Sequence, residues 1–214
     1  MTWEQTTLNA LQKHIDEDQD TIPQYDNAFF QSLQKYRPIY HFLGDLINIY
    51  LKPTSVIDWG CGCGYILEKL QMLGITDLGG IEGSKEVLPF IPPTLKDYIE
   101  INDVLLFDAK DYDMAITVEV AEHLHKKDSA KFVNSVSASA NKWIWWSAAQ
   151  IGQGGTGHIN CQPLSFWESV FKEVGIFEPD WEKAYEIKQA MLGNHQLVLG
   201  YNWLHSNFIL FRHV

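Results

Sequence analysis

Two carboxylates and an imidazole stand close together at Glu119, Glu122 and His123. If a helix begins at Glu119, these i, i+3 and i+4 positions share one face, and their oxygens and nitrogens converge. Such a set can hold and move a proton, since an imidazole titrates near neutrality. It also suits a divalent ion such as Mg²⁺, Mn²⁺, Zn²⁺ or Fe²⁺. The plainer alternative is that Glu122 and His123 only cap and order their loop. A second polar set, His158, Asn160 and Gln162, lies in a stretch with four glycines between Gln150 and Pro163. These alternating side chains can point one way, or can anchor the loop through their own hydrogen bonds.

A third group has a different chemistry. Val56-Ile57 leads into Asp58, and glycines follow at alternate positions, Gly60, Gly62 and Gly64, with Cys61 and Cys63 between them. Ile66, Leu67, Leu70 and Leu73 then fall at helical spacing. The pattern predicts a buried strand, a glycine turn and a helix. Such a turn lets a ligand approach the backbone, and the helix start adds unpaired N–H groups and a partial positive charge. A dinucleotide fingerprint, G-x-G-x-x-G, would need glycine at 65, where Tyr65 stands, and this disfavours a nicotinamide- or flavin-dependent oxidoreductase. Glu82 ends an apolar segment running from Thr76 to Gly83, at the separation of about 20 residues from Gly62 expected of a ribose-binding acid in a βαβ unit. The structural alternative is a strand-end glutamate facing solvent.

The elements that must position these groups follow in order. Residues 7–15 read as a short helix and 16–20 as a solvated acidic turn. Phe29, Phe30, Leu33 and Tyr36 lie at helical spacing, Pro38 interrupts, and Phe42, Leu43, Leu46, Ile47 and Tyr50 continue a second amphipathic helix. Residues 1–50 thus form an N-terminal helical cap on a domain spanning 51–214, with Tyr25, Phe29 and Tyr36 as its candidate contacts to a ligand. Three prolines between Leu88 and Thr94 leave room for only a short helical turn. Strand three runs from Tyr98 toward Asp103, and the apolar run Met114 to Val118 suits a central parallel strand. A helix over 127–140 precedes strand five, Lys142 to Ala149, whose tryptophans are core residues, one of them a candidate cleft wall at its carboxyl end. Helices follow over Leu164–Val174, ended by Gly175, and Trp181–Leu192, with a short strand, Ile176 to Pro179, between them. Residues 193–202 are a candidate lid, and Trp203 to Arg212 form the last strand.

Composition narrows the function classes. The chain of 214 residues, 46% hydrophobic, suits one domain with an appendage. A net charge of −11 opposes a sequence-independent nucleic-acid footprint, which rests on phosphate neutralisation. No apolar run reaches the length of a membrane span, and the polar start is unlike a signal peptide. Three cysteines give no disulfide framework, and two thiolates are too few for a closed zinc site. The expectation is a cytoplasmic protein of unassigned oligomeric state.

The segment acidic-x-G-x-G-x-G at Asp58–Gly64 resembles motif I of the class I S-adenosylmethionine (SAM) methyltransferases. Glu119-x-x-Glu122-His123 resembles their post-strand-four segment, and Gly155-Thr-Gly-His158-Ile-Asn160-Cys-Gln162-Pro163 is similar to a loop in methyltransferases of uncertain substrate. The resemblance covers roughly residues 50–212. It implies a Rossmann-like α/β fold, with a seven-stranded, mostly parallel sheet, helices on both faces and the last strand inserted antiparallel. It assigns SAM, and its product S-adenosylhomocysteine (SAH), to Asp58, Gly60, Cys61, Gly62, Gly64, Glu82, Gly83, Asp103, Val104 and Glu119. Within that set Asp103 would accept from the adenine amino group. The same resemblance makes Glu122, His123 and His158 the catalytic candidates. Small-RNA 2′-O-methyltransferases and ubiquinone-pathway O-methyltransferases hold a divalent metal with such a segment and a distal histidine. This implies a set of Glu119, Glu122, His123 and His158 for Mg²⁺, Mn²⁺ or Zn²⁺. The expected reaction is methyl transfer to a hydroxyl of a small molecule or sugar. The alternatives are an RNA 2′-O-methyltransferase and a SAM-binding regulatory protein without turnover.

Overall fold

A computed structural model describes residues 25–108, 110–194 and 200–214. The expected helix over 7–15, the acidic turn over 16–20 and part of the candidate lid over 193–202 lie outside the described residues. Seven strands form one sheet in the order β3-β2-β1-β4-β5-β7-β6. They are β1 (Ser55–Trp59), β2 (Asp77–Glu82), β3 (Ile99–Ile101), β4 (Tyr112–Val118), β5 (Ala140–Ser147), β6 (Phe177–Pro179) and β7 (Phe208–His213). The first five run parallel, and β7 lies antiparallel between β5 and β6, as expected. The order reverses between β1 and β4, and the crevice beyond the carboxyl ends of these two strands is where open α/β sheets bind ligands.

The helices are α1 (Asn27–Leu33), α2 (Arg37–Tyr50), α3 (Tyr65–Met72), α4 (Ser129–Ala138), α5 (Leu164–Val174), α6 (Trp181–Leu192) and α7 (Asn202–Ser206). Asp26 caps α1 by accepting from the Phe29 amide. Pro38 does not interrupt α2; it occupies the first turn, where a missing N–H costs nothing. The inner stripe of α2, Ile39, Leu43, Leu46 and Ile47, packs with Ile66, Leu67 and Leu70 of α3 in the core on one face of the sheet. The other face is covered by α4 and α5, through Phe132, Val133, Val136, Trp167 and Phe171. Among the strand-five tryptophans, Trp145 faces the first core and Trp146 the second, and both are buried.

Several expected boundaries move, among them the helix over 127–140, which is Ser129–Ala138, and the start of strand five, which is Ala140. Residues 203–206 belong to α7 rather than to the last strand, and strand five ends at Ser147, two residues early. The ladder explains the last of these shifts: Ser147 pairs with Phe208, the first residue of β7, and beyond it no partner strand continues. Between β3 and β4 the chain makes a turn at Val104–Leu106 with no helix among its described residues. No helix among the described residues is long and apolar enough to cross a membrane.

Candidate functional site

The glycine turn connects β1 to α3 and is held from below. The amides of Gly60 and Cys61 both donate to the Ile81 carbonyl of β2, at 2.8 and 2.9 Å. The Gly62 amide donates to Glu82 Oε2 at 3.0 Å, and the Ser84 amide to Glu82 Oε1 at 2.9 Å. The turn's own amides are therefore largely spent on shaping it. The donors without an intrahelical partner are those of the first turn of α3. At Gly64 (φ 75°) a Cβ would sit 2.7 Å from Ile99 Cδ1, and at Gly60 (φ 73°) it would sit 2.6 Å from Val120 Cγ2. Both glycines meet a steric demand as well as a left-handed backbone.

The turn opens into a cleft of about 1350 Å³. Drug-sized ligands occupy sites of about 300–1,000 Å³, so the space suits two adjacent molecules. Of the sequence-predicted cofactor residues, Asp58, Gly60, Cys61, Gly62, Glu82, Gly83, Asp103, Val104 and Glu119 line it, while Gly64 lies behind the turn. Tyr25, Phe29 and Tyr36 line it too. Asp58 is buried and its carboxyl is pushed up to about 8, by desolvation first and the Glu82 charge second. Burial also raises Glu82, against the pull of the Ser84, Gly62 and Gly83 amides. Those two bonds leave lone pairs on the Glu82 carboxylate for further donors. Asp103 adopts an Asx turn, accepting from the Leu105 amide at 2.8 Å, while remaining on the cleft wall.

At the end of β4 the expected helix from Glu119 does not form. Glu119 has a left-handed backbone (φ 56°), and a single 3₁₀ turn, Ala121–His123, follows it. The reason is the neighbouring strand: the Glu119 amide still donates to Ser147 of β5 at 3.0 Å, which continues the ladder one residue past β4. Glu119 and Glu122 consequently separate in role. Glu119 accepts from Asn207 Nδ2 at 3.1 Å through each of its oxygens. Glu122 is fully buried behind the cleft, and neither of its carboxylate oxygens has a hydrogen-bond partner among the described residues. Burial raises both acids, and the Glu119 charge raises Glu122 further.

His123 and His158 approach edge to face, with ring centroids 4.9 Å apart, and both line the cleft. His123 Nδ1 lies 2.9 Å from the Gly157 carbonyl and 2.8 Å from the Tyr25 hydroxyl. A carbonyl only accepts, so Nδ1 carries the proton and Nε2 is the basic nitrogen. His158 Nδ1 lies 3.2 Å from the Gln153 carbonyl, which selects the same tautomer. Burial holds His123 down at about 4 and lowers His158. Both are neutral at physiological pH. Ligand atoms of Glu122, His123 and His158 lie within 4.8 Å of one another, and Glu119 is outside that group. The buried oxygens of Glu122 and two neutral imidazoles fit a divalent ion as three ligands.

The loop after β5 is anchored by its own bonds. Glu122 contributes its carbonyl, which accepts from the Ile159 and Asn160 amides at 2.9 Å each. Buried Asn160 donates to Ala121 O and Ser129 Oγ, and Gln162 donates to Asn160 Oδ1. Only His158 of that alternating trio lines the cleft. Sequence reading missed Tyr40, Trp203 and Asn207. Tyr40 and Trp203 line the cleft, and Asn207 holds Glu119. Trp203 was read as the first residue of the last strand, ahead of its apolar run Phe208–Phe211.

No protein-family model and no curated protein matches the chain. Solved structures do match. One is a putative O-methyltransferase from Nostoc punctiforme, with TM-score 0.59 and 10% identity over 88% of this chain and 59% of that one. A second is magnesium protoporphyrin IX methyltransferase from Synechocystis with bound SAH, with TM-score 0.56 and 14% identity over 81% of this chain and 85% of that one. A third is phosphoethanolamine N-methyltransferase 2 from Haemonchus contortus in complex with SAM, with TM-score 0.59 and 12% identity over 95% of this chain and 59% of that one. The chain thus spans about three fifths of the length of the Nostoc and Haemonchus proteins. Together with the strand order and the antiparallel β7, these likenesses identify the Rossmann-like fold of the class I SAM-dependent methyltransferases.

Proposed function

We propose that this protein binds SAM and transfers its methyl group to a hydroxyl of a small molecule. One observation carries the reading. A single cleft joins the glycine turn, clasped by Glu82, to the neutral pair His123 and His158. Neighbours bearing SAM or SAH support the cofactor. Asp58, Gly62, Glu82, Gly83, Asp103 and Val104 would hold its amino-acid, ribose and adenine parts, with Glu119 near the methyl group. The sulfonium is already a strong methyl electrophile, so the protein's main task is to align donor and acceptor. A hydroxyl acceptor must also lose its proton, and the basic Nε2 of His123 or His158 serves as acceptor for it. Glu122, His123 and His158 would be the ligands of a divalent ion, which when bound lowers the pKa of an acceptor hydroxyl. Glu119 stays with Asn207. Methyl transfer to nitrogen is the second reading, favoured by the likeness to phosphoethanolamine N-methyltransferase.

The test is a calorimetric titration of SAM and SAH into metal-stripped protein, repeated with Mg²⁺, Mn²⁺ and Zn²⁺. Binding of both without metal is expected, and no binding under any condition would overturn the reading. A separate metal event that disappears in His158→Ala would support the three-ligand site.

A further inference from the structure

The walls of the cleft discriminate between classes of acceptor. They include five half-buried aromatic side chains, Tyr25, Phe29, Tyr36, Tyr40 and Trp203. Tyr25 and Phe29 are packed with centroids 4.4 Å apart, and Tyr25 meets His123 edge-on at 5.6 Å, so the aromatic wall is continuous with the candidate base. Charge is distributed one-sidedly. Five carboxyl groups, those of Asp58, Glu82, Glu86, Asp103 and Glu119, line the cleft among the described residues. Among the described lining residues the one permanent cation is Lys85, exposed beside Glu86 on the glycine-turn side.

An anionic substituent held away from the Glu122, His123 and His158 set would leave water with no lysine or arginine beside it among the described lining residues, Lys85 on the glycine-turn side excepted. A flat apolar ring would instead find faces and edges to stack against. A sugar would present several hydroxyls to walls that are mostly carbon. We infer that the acceptor is a planar aromatic molecule without negative charge, presenting its reactive hydroxyl toward His123, and neither a phosphorylated compound, a sugar nor an RNA. This inference rests on the methyltransferase reading and deepens it. Like charges about 5 Å apart in partly buried surroundings disfavour each other by about two orders of magnitude. Solvent in an open cleft reduces this, and about tenfold remains as the expected discrimination.

The experiment uses the full chain saturated with SAH and near-isosteric probes. 4-Methylphenol, 4-hydroxybenzoate, glucose and a short RNA oligonucleotide are titrated calorimetrically into that complex. 4-Methylphenol is expected to bind, 4-hydroxybenzoate at least about tenfold more weakly, and glucose and RNA not at all. Glu119→Gln should narrow the gap between the two ring probes. Trp203→Ala should weaken 4-methylphenol about tenfold while SAH affinity stays within about twofold; Phe29→Leu provides the same comparison if the tryptophan variant does not fold. Failure of 4-methylphenol to bind the SAH complex overturns the proposal, as does equal or tighter binding of the benzoate, glucose or RNA. Loss of SAH binding in the unaltered protein is a separate result, which removes the methyltransferase reading and the acceptor class with it.

Discussion

Asp58 is buried and His123 half-buried at the cleft, yet protons act on them in opposite directions. The folded state holds His123 near 4, so unfolded chains take up a proton near 6.5 that folded ones refuse. That contribution to stability is present above 6.5 and is lost as pH falls toward 4. Asp58 is held near 8, so the folded state keeps a proton that the unfolded chain loses near 3.8. Its contribution is present below 3.8 and is lost as pH rises toward 8. Below 6.5 the two slopes oppose each other, and above it only the loss from Asp58 remains of this pair. Without ligand, stability should therefore fall by about 2 kcal/mol between pH 6.5 and 8. Urea unfolding at the two values measures this, and Asp58→Asn should shrink the fall. An unchanged fall in that variant would assign it to other carboxyls.

At the level of elements, the site depends on close backbone approaches in β2 as much as on the glycine turn. A Cβ on Gly79 would lie 2.4 Å from the Tyr112 hydroxyl and 2.9 Å from its Cζ, both fixed at the start of β4. Gly79→Ala should destabilise the protein by about 1–3 kcal/mol in chemical denaturation. Tyr112→Phe in the same chain should recover part of the loss, since it removes the nearest atom and leaves the ring. A neutral Gly79→Ala would mean that the β2–β4 spacing is softer than this packing indicates. The effect should reach the cofactor side, because β2 ends at Glu82 and its Ile81 carbonyl holds the turn.

For the molecule as a whole, the cleft joins the carboxyl edge of the sheet to residues of α1 and α2, so a ligand there should stabilise the fold. SAH at one hundred times its dissociation constant adds about 2.7 kcal/mol if it binds only the folded state. For a chain of this size that is a rise of about 5–10 °C in Tm, readable in a thermal scan. Glu82→Ala removes the acceptor for the Gly62 amide and should reduce the rise at the same SAH concentration. An equal rise in that variant would place SAH away from the glycine turn.

The amino-acid sequence alone determined the strand–turn–helix around Asp58–Gly64, the acid at Glu82 and the existence of nearly every helix and strand. These rest on local periodicity and on glycine and proline chemistry, which act over a few residues. The antiparallel last strand came with the resemblance rather than with local pattern. Tertiary structure alone decided which acid does what after β4. Glu119 looks like the first residue of a helical E-x-x-E-H face, but one more ladder bond to Ser147 and a left-handed backbone (φ 56°) keep it out of any helix, and Asn207, 88 residues away, bonds both its oxygens. Long-range pairing likewise moved Trp203 from strand to helix and placed it on the cleft wall. The tautomers of His123 and His158 were equally beyond local reading, because the Gly157 and Gln153 carbonyls that select them are brought into place by a loop whose shape is set by bonds to Glu122. Spacing reports which side chains a segment presents, whereas the partners that charge, orient or bury them come from elsewhere in the chain.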